Sequence, residues 1–443
     1  MESNYLESQI ELVANKFLDA IVDKEIFVMS HFDTDGITSA TIMIQTLRRL
    51  DKRFSIKIVK RIEEETLANL PKDKVIIFLD LASGNLNYLA GLDSKNIFII
   101  DHHEISQAIP EGINIINPEL NGKEKLSASS LTYLFCKYIN EDNKEFAKLA
   151  ILGMIGDCME KSIDKLNNLI INDGEVKKRR GLLIYPSTRP LNRTLEYCSD
   201  PYIPGITGDP QGVMELLREL GFNPQGGKYK SLIELDDAEM SKLITAIVLR
   251  NPKVKNKEII GDIFLIKLFN KLEDARELSA MINACSRLGE SETAIQFCME
   301  STKAKKKAEL MHTKYKQHII SGLKAASESE KLEGNGFVII NAKEKIKDTM
   351  TGTIASILSN SSIYEEGTII TTMAYYDDKI KVSSRGVGKI QRNIREILAK
   401  VVNEIGGEVG GHEFAAGCMI KQEKEKDFME LLKKSFEIEL VKI

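Results

Sequence analysis

The sequence predicts an α/β protein: an open parallel-sheet domain with helices on both faces, a long helical connector, and a smaller α/β domain across a cleft. Three observations predict it. Short apolar runs alternate with helical stretches over residues 25–160, the βαβ pattern of a parallel sheet. Three of those runs are apolar without interruption, as strands covered on both faces are. After a long helical stretch the alternation restarts over residues 334–443. A chain of 443 residues has room for two or three domains.

The N-terminus reads as a charged amphipathic helix. EIFVMS (25–30), FSIKIVK (54–60), KVIIFLD (74–80) and NIFIID (96–101) read as strands, with helical segments near 36–50, 62–70 and 86–93 between them. Helices follow near 127–140 and 145–160. Residues 172–260 are less regular: Pro186, Pro190, Pro201, Pro204 and Pro210 crowd together with Gly205, Gly208 and Gly212, which predicts a loop-rich insertion. The stretch 291–328, dense in Lys, Ala and Glu, reads as a connecting helix. GFVIINA, GTIITTMAYY and KIKVSSRG read as strands of the last domain, followed by a helix and a glycine-rich segment. The expected division is 1–171, 172–275, 276–330 and 331–443.

Composition bounds the function. Hydrophobic residues make up 43% and charged residues 28%, as in a soluble globular protein. No apolar run approaches the roughly 18 residues of a membrane span, and the N-terminus has no apolar signal core; the expectation is a cytoplasmic protein without a membrane partner. The six cysteines are scattered with no CxxC pair, which points to reduced thiols and no zinc cage. A net charge of -4 does not announce a nucleic-acid partner; one would need local basic patches. No GxGxxG follows the first strand, which argues against a dinucleotide cofactor.

The acidic and imidazole residues carry the chemistry. The first strand runs into His31, Asp33 and Asp35; the third ends on Asp80; the fourth ends on Asp101, His102 and His103; a helix ending GMIGD adds Asp157. In an open parallel sheet these carboxyl ends share one rim, where ligands bind. So many like charges on one rim cost several kcal/mol unless cations sit among them. Carboxylates with one or two imidazoles suit Mn²⁺ or Mg²⁺ better than zinc. Two ions bridged by a carboxylate about 3.5–4 Å apart would activate a water and stabilise a leaving oxygen in phosphoryl displacement. Taken singly, an Asp closing a strand is more often a cap or turn residue; jointly, that reading needs several coincidences.

SHFDTDGITSA (30–40), FLD (78–80), IDHHE (100–104) and GMIGD (153–157) resemble, in order, the four motifs of the DHH phosphoesterase superfamily. SSRG (383–386) and GGHEFAAG (410–417) resemble its DHHA1 domain. INACSRLG (282–289) resembles the segment that RecJ-like nucleases carry between the two, and RPLNRTLEYCSDPYIPGITG (189–208) looks like a segment of archaeal RecJ-like proteins. Length and layout are closest to the archaeal group, with the Hef-associated nuclease branch as the nearest match. The resemblance implies two Mn²⁺ (or Mg²⁺) held by His31, Asp33, Asp35, Asp80, His102 and Asp157, with Asp80 as the bridge. It implies His103 near the phosphate or leaving group, and Asp101 orienting a histidine. It implies a manganese-dependent exonuclease of DNA repair or replication acting on single-stranded DNA or RNA, leaning 3′→5′. The implied partners are single-stranded nucleic acid, a Hef-type repair helicase or replisome component, and a second copy of the chain.

Phosphate contacts are expected from Ser384, Arg385, Gly410, Gly411 and His412, and from Asn283 and Arg287 on the linking segment. A glycine pair lets backbone approach a phosphate closely, and a strand is gripped by cations and amides. The chain departs from the family at Ser286, where glycine is usual, and ends without the extra oligonucleotide-binding fold of bacterial RecJ. Two alternatives remain: a phosphodiesterase of short oligonucleotides or cyclic dinucleotides, and a metal-free replication scaffold.

Overall fold

The computed structural model describes residues 5–89, 96–105, 107–120, 124–161, 163–198, 201, 203–251, 259–361 and 363–441. It forms two compact units, one of residues 1–179 and 262–312, the other of residues 180–261 and 313–443.

The first unit opens with α1 (Tyr5–Ala20), whose apolar stripe Leu6, Ile10, Val13 and Phe17 is buried. Then come β1 (Ile26–His31), α2 (Thr34–Arg49), β2 (Phe54–Val59), α3 (Glu64–Ala68), β3 (Val75–Leu79), α4 (Leu86–Leu89), β4 (Ile97–Ile100) and β5 (Ile113–Ile116). The five strands form one sheet of order β2-β1-β3-β4-β5, parallel throughout. Alternate strand residues serve opposite faces. Val28, Ile77, Leu79, Phe98 and Ile100 join a core with α1, α2 and later helices. Met29, Ile76, Phe78, Ile97 and Ile99 join a second core with Leu67, Leu86 and Leu89. That double coverage explains why β3 and β4 contain no polar residue.

Next come α5 (Ala128–Ile139), α6 (Ala147–Gly156) and α7 (Lys165–Asp173). α6 is buried nearly all round and packs on α2 and α5. β6 (Lys177–Leu182) leads out of this unit. The second unit begins with α8 (Leu191–Glu196), α9 (Pro210–Glu219) and α10 (Asp237–Arg250). The loop-rich expectation for 172–260 needs correction: these helices enclose a core of Leu191, Leu195, Val213, Leu216, Leu243 and Ile247 among others. Asp209 and Asp236 cap α9 and α10, Asp236 in a capping box with Glu239.

The antiparallel pair β7 (Ile260–Leu268) and β8 (Lys271–Asp274) returns the chain to the first unit, followed by α11 (Ala275–Arg287), α12 (Ser291–Cys298) and α13 (Thr302–Glu328). The single helix expected over 291–328 is therefore two. Glu300 sits at a left-handed φ of 59°, where its carboxylate accepts the Phe269 amide and pairs with Lys148.

The second unit ends with β9 (Lys331–Gly334), β10 (Phe337–Asn341), α14 (Thr351–Ser359), β11 (Ile369–Tyr376), β12 (Lys379–Gly386), α15 (Ile394–Ile405), β13 (Glu408–His412), β14 (Ala415–Lys421) and α16 (Glu425–Val441). Its sheet has the order β13-β14-β12-β11-β10-β9, with only β10 and β11 parallel. Ile394, Ile397 and Leu398 of α15 and Phe428, Leu432 and Phe436 of α16 pack on the sheet. No helix among the described residues is long and apolar enough to cross a membrane.

Candidate metal centre

In the strand order β2-β1-β3-β4-β5 the chain steps outward from β1 to β2 and then back across to β3. The gap between the carboxyl ends of β1 and β3 is therefore the topological switch point, where such sheets bind ligands. His31 and Asp80 meet there, with His31 Nδ1 3.2 Å from Asp80 Oδ2 and 3.0 Å from Asp33 Oδ2. Asp33 caps α2, accepting the Gly36 amide at 3.0 Å. Asp80 takes a left-handed φ of 58°, a conformation that Asp tolerates better than most residues. This turns its buried carboxylate toward the neighbouring strand ends.

His102, one residue past Asp101 at the end of β4, joins a second group. Its Nε2 lies 3.4 Å from Asp80 Oδ1, 3.3 Å from Asp157 Oδ2 and 3.9 Å from Asp35 Oδ2. The side chains thus gather into His31–Asp33–Asp80 and Asp35–His102–Asp157, and Asp80 also joins Asp101, His102 and His103. Asp157 Oδ2 is buried without a hydrogen bond. An oxygen left in that state is costly, and a cation at this point removes the cost. The donors are all carboxylate oxygens and imidazole nitrogens, which fits Mn²⁺ or Mg²⁺.

Protons answer the crowding when no cation does. Burial, reinforced by the charge of Asp33, raises Asp80 well above the usual carboxylate range. Burial and the charge of Asp35 do the same to Asp157. Burial alone would lower His31, but its bonds to Asp33 and Asp80 outweigh it and push the imidazole up to about 10. Burial alone would raise Asp33, yet His31 holds it well below the usual range.

Asp101 has a different position from the other acids. Its Oδ2 accepts the Ser83 amide at 3.0 Å, and its Oδ1 accepts the His102 amide at 2.8 Å and faces His103 Nδ1 at 2.7 Å. Burial would raise this carboxyl, but His103 holds it low; in return the bond to Asp101 raises His103. Asn117, just past β5, donates to Ser83 Oγ at 3.0 Å and to the His103 carbonyl at 2.8 Å. It braces the loop between two strand ends. Neither β5 nor Asn117 was expected; the INP run at 116–118 was the available signal.

The linking segment also reaches the centre. α11 packs on α6 and α2, and Thr34 Oγ1 donates to the Ser279 carbonyl at 3.1 Å. Arg287 donates to Asn283 Oδ1 at 3.1 Å, and its guanidinium lies 5.8 Å from the ring centre of Phe32, between His31 and Asp33 in sequence.

In the second unit, Ser384 does not suit the ligand contact expected of it. It is fully buried and its hydroxyl bonds Thr371 at 2.8 Å across the sheet. Its neighbour Arg385 is half-buried and bonds Ser356 Oγ at 3.2 Å and the Ser384 carbonyl at 2.9 Å. His412 is exposed at the end of β13. Gly411 has a φ of 114°, and a Cβ there would meet the Ala415 carbonyl at 2.5 Å, so the hairpin requires glycine. Gly410 has open space around it and no such requirement.

Three family models match the chain: the DHH family N-terminal domain over residues 25–155, the DHH-CID domain over 184–259 and the DHHA1 domain over 335–437. The chain is 28% identical over 442 residues to an uncharacterized protein of Methanocaldococcus jannaschii, covering 95% of this chain and 96% of that one. It is 27% identical over 183 residues to the single-stranded-DNA-specific exonuclease RecJ of Bacillus subtilis, covering 38% of this chain and 23% of that one. Its fold is shared by RecJ of Thermus thermophilus in complex with Mn²⁺ (TM-score 0.61, 18% identity, 96% of this chain and 54% of that one). It is shared by CDC45 of Entamoeba histolytica (TM-score 0.71, 11% identity, 97% and 99%). The chain thus spans about half of the Thermus RecJ and under a quarter of the Bacillus one.

Proposed function

The chain belongs to the DHH/DHHA1 superfamily in its RecJ-like form, and from that premise we propose that it is a Mn²⁺-dependent exonuclease that hydrolyses single-stranded DNA or RNA, leaning 3′→5′. The observation that carries this reading is the convergence at the switch point. Three strand ends and the end of α6 bring His31, Asp33, Asp35, Asp80, His102 and Asp157 into two groups of ligand atoms.

His31, Asp33 and Asp80 would hold one divalent ion, and Asp35, His102 and Asp157 a second, with Asp80 reaching both. Such ions supply Lewis acidity toward a phosphodiester and lower the pKa of water. The chain's own residues do the rest. His103, whose imidazole the bond to Asp101 shifts upward, would contact the phosphate or give a proton to the departing oxygen. Asp101 and Asn117 fix its orientation. Asn283 and Arg287 grip a phosphate beside Phe32, and Arg385, Gly410, Gly411 and His412 hold phosphates on the DHHA1 domain. The contacts named here are cations, amides and small polar groups, so grip falls on the backbone and sequence preference is low.

Digestion of 5′- and 3′-labelled DNA and RNA strands with Mn²⁺ tests the proposal. A ladder shortening from one end supports it, and the labelled end that is released first sets the polarity. Turnover of dinucleotides with long strands left whole would instead favour a phosphodiesterase of short oligonucleotides. The alternative of a metal-free replication scaffold, possessing the fold without the chemistry, is opposed by the ligand groups gathered at the rim. A Hef-type helicase or replisome component is the partner proposed for repair or replication.

A further inference from the structure

Asp35 is the ligand that the fold grips most tightly, and the grip comes from helices far away in sequence. Its side chain is fully buried. Oδ2 accepts the Ala128 amide at 2.7 Å and Oδ1 accepts the Ser129 amide at 3.0 Å. These are the first two residues of α5, whose unpaired amides point out of the helix end. One lone pair on each oxygen is spent on an amide, which fixes the carboxylate plane and leaves the outer lone pairs toward His102 and Asp157.

A second helix shapes the slot. Gly153 of α6 faces the same carboxylate. A Cβ there would lie 2.1 Å from Ser129 Oγ, 2.5 Å from Asp35 Oδ1 and 2.6 Å from Thr38 Oγ1. None of these atoms can yield freely. Ser129 Oγ bonds the Ala150 carbonyl at 3.0 Å, and Thr38 Oγ1 bonds the Thr34 carbonyl at 2.8 Å. Gly153 takes no left-handed φ, so backbone conformation does not demand glycine. The space for Asp35 does.

Building on the metal-centre reading, we infer that Gly153 and the α5 amides of Ala128 and Ser129 are positioning elements that set Asp35 for its divalent ion. Two substitutions act on different oxygens of the carboxylate, that at Gly153 on Oδ1 and that at Ala128 on Oδ2. Gly153→Ala fills the slot. Ala128→Pro replaces one amide hydrogen by the ring Cδ, which removes the donor and presses on Asp35 Oδ2, at a first helical position that otherwise suits proline. The preceding Ser127 already has the extended ψ of 161° that a following proline requires. Gly174→Ala serves as a control for packing alone, since its Cβ would meet only Ile151 Cδ1 closely, at 2.6 Å.

The test is Mn²⁺ titration of each full-length variant by calorimetry and by the Mn²⁺ electron paramagnetic resonance signal, alongside melting in chelator. Gly153→Ala and Ala128→Pro are each expected to weaken Mn²⁺ binding by about tenfold or more, the range seen when a ligand's support is removed. Gly174→Ala is expected to lower the melting temperature and leave Mn²⁺ affinity unchanged. If Gly153→Ala does not fold, Ala128→Pro decides. Unaltered Mn²⁺ affinity in either folded variant, or an equal loss in Gly174→Ala, overturns the inference. Failure of the unaltered chain to bind Mn²⁺ is a separate result, and it overturns the metal reading itself.

Discussion

Asp80 stands where two side-chain groups of the rim meet. It reaches His31 with one oxygen and His102 with the other, from a left-handed backbone position. Asn tolerates that conformation as well as Asp does, so Asp80→Asn should preserve the fold and remove only the charge. Hydrolysis should fall by about 10³-fold, matching several kcal/mol of lost charge stabilisation, and calorimetry should show Mn²⁺ binding weakened; retained turnover would reject Asp80 as the bridge. A pH dependence follows from the same cluster. Asp80, Asp157 and His31 all have folded-state pKa values above their ordinary ones. The folded chain then holds more protons than the unfolded chain between those values, and metal-free stability drops as pH rises through that window. For His31 this stability is complete below about 6.5 and is lost as pH passes about 10. Divalent ions compete with those protons, so the Mn²⁺-induced rise in melting temperature should be larger near pH 9 than near pH 6. A rise independent of pH would contradict this coupling. The acids and imidazoles were legible because strand ends can be read from apolar runs. Asn117 and Ala128 were not, and Gly153 only as the first letter of GMIGD, because each acts through partners that only the fold brings near, as Ala128 does on Asp35.

Among the elements, α11 contains the clearest functional question. Arg287, Asn283 and Phe32 form a small assembly beside the metal loop. If it holds a substrate phosphate, Arg287→Ala should raise KM about tenfold or more, the size of a lost hydrogen bond to a charged group. kcat and Mn²⁺ affinity should change little; steady-state kinetics beside metal titration check this, and an unchanged KM would return Arg287 to a packing role. Ser384 leads to the opposite expectation on β12. Ser384→Ala should cost about 1 kcal/mol of stability by leaving the Thr371 hydroxyl without its partner, measured by denaturant unfolding, with KM unaltered. Elements differed in legibility for physical reasons. β3 and β4 announce themselves by double burial. β5 is a four-residue edge strand that follows Pro110 and Gly112, so its short apolar run was hidden among turn residues. The helices α8 to α10 were masked by crowded Pro and Gly, although Asp209-Pro210 and the Asp236–Glu239 capping box were start signals in plain view.

At the scale of the whole molecule, two α/β sheets and a long helical stretch were readable because alternation of apolar strands and helices survives in any α/β chain. The strand order that creates the switch point was not readable, since it depends on crossovers that leave no mark in composition. That order matters because it makes the crevice, while fold alone does not choose a function. The choice rests on the side chains at the rim. A scaffold would gain nothing from burying Asp35 and Asp80 beside the half-buried Asp157, where repulsion and desolvation oppose folding. A nuclease needs that arrangement, and its cost is removed once cations enter. Elemental analysis of the purified chain after Mn²⁺ loading and desalting should therefore give about two ions per chain. In Asp80→Asn the content should fall while circular dichroism stays the same. A metal content near zero in a folded, unaltered chain would favour the scaffold, because then the rim's charge would be balanced by protons on Asp80 and Asp157 alone.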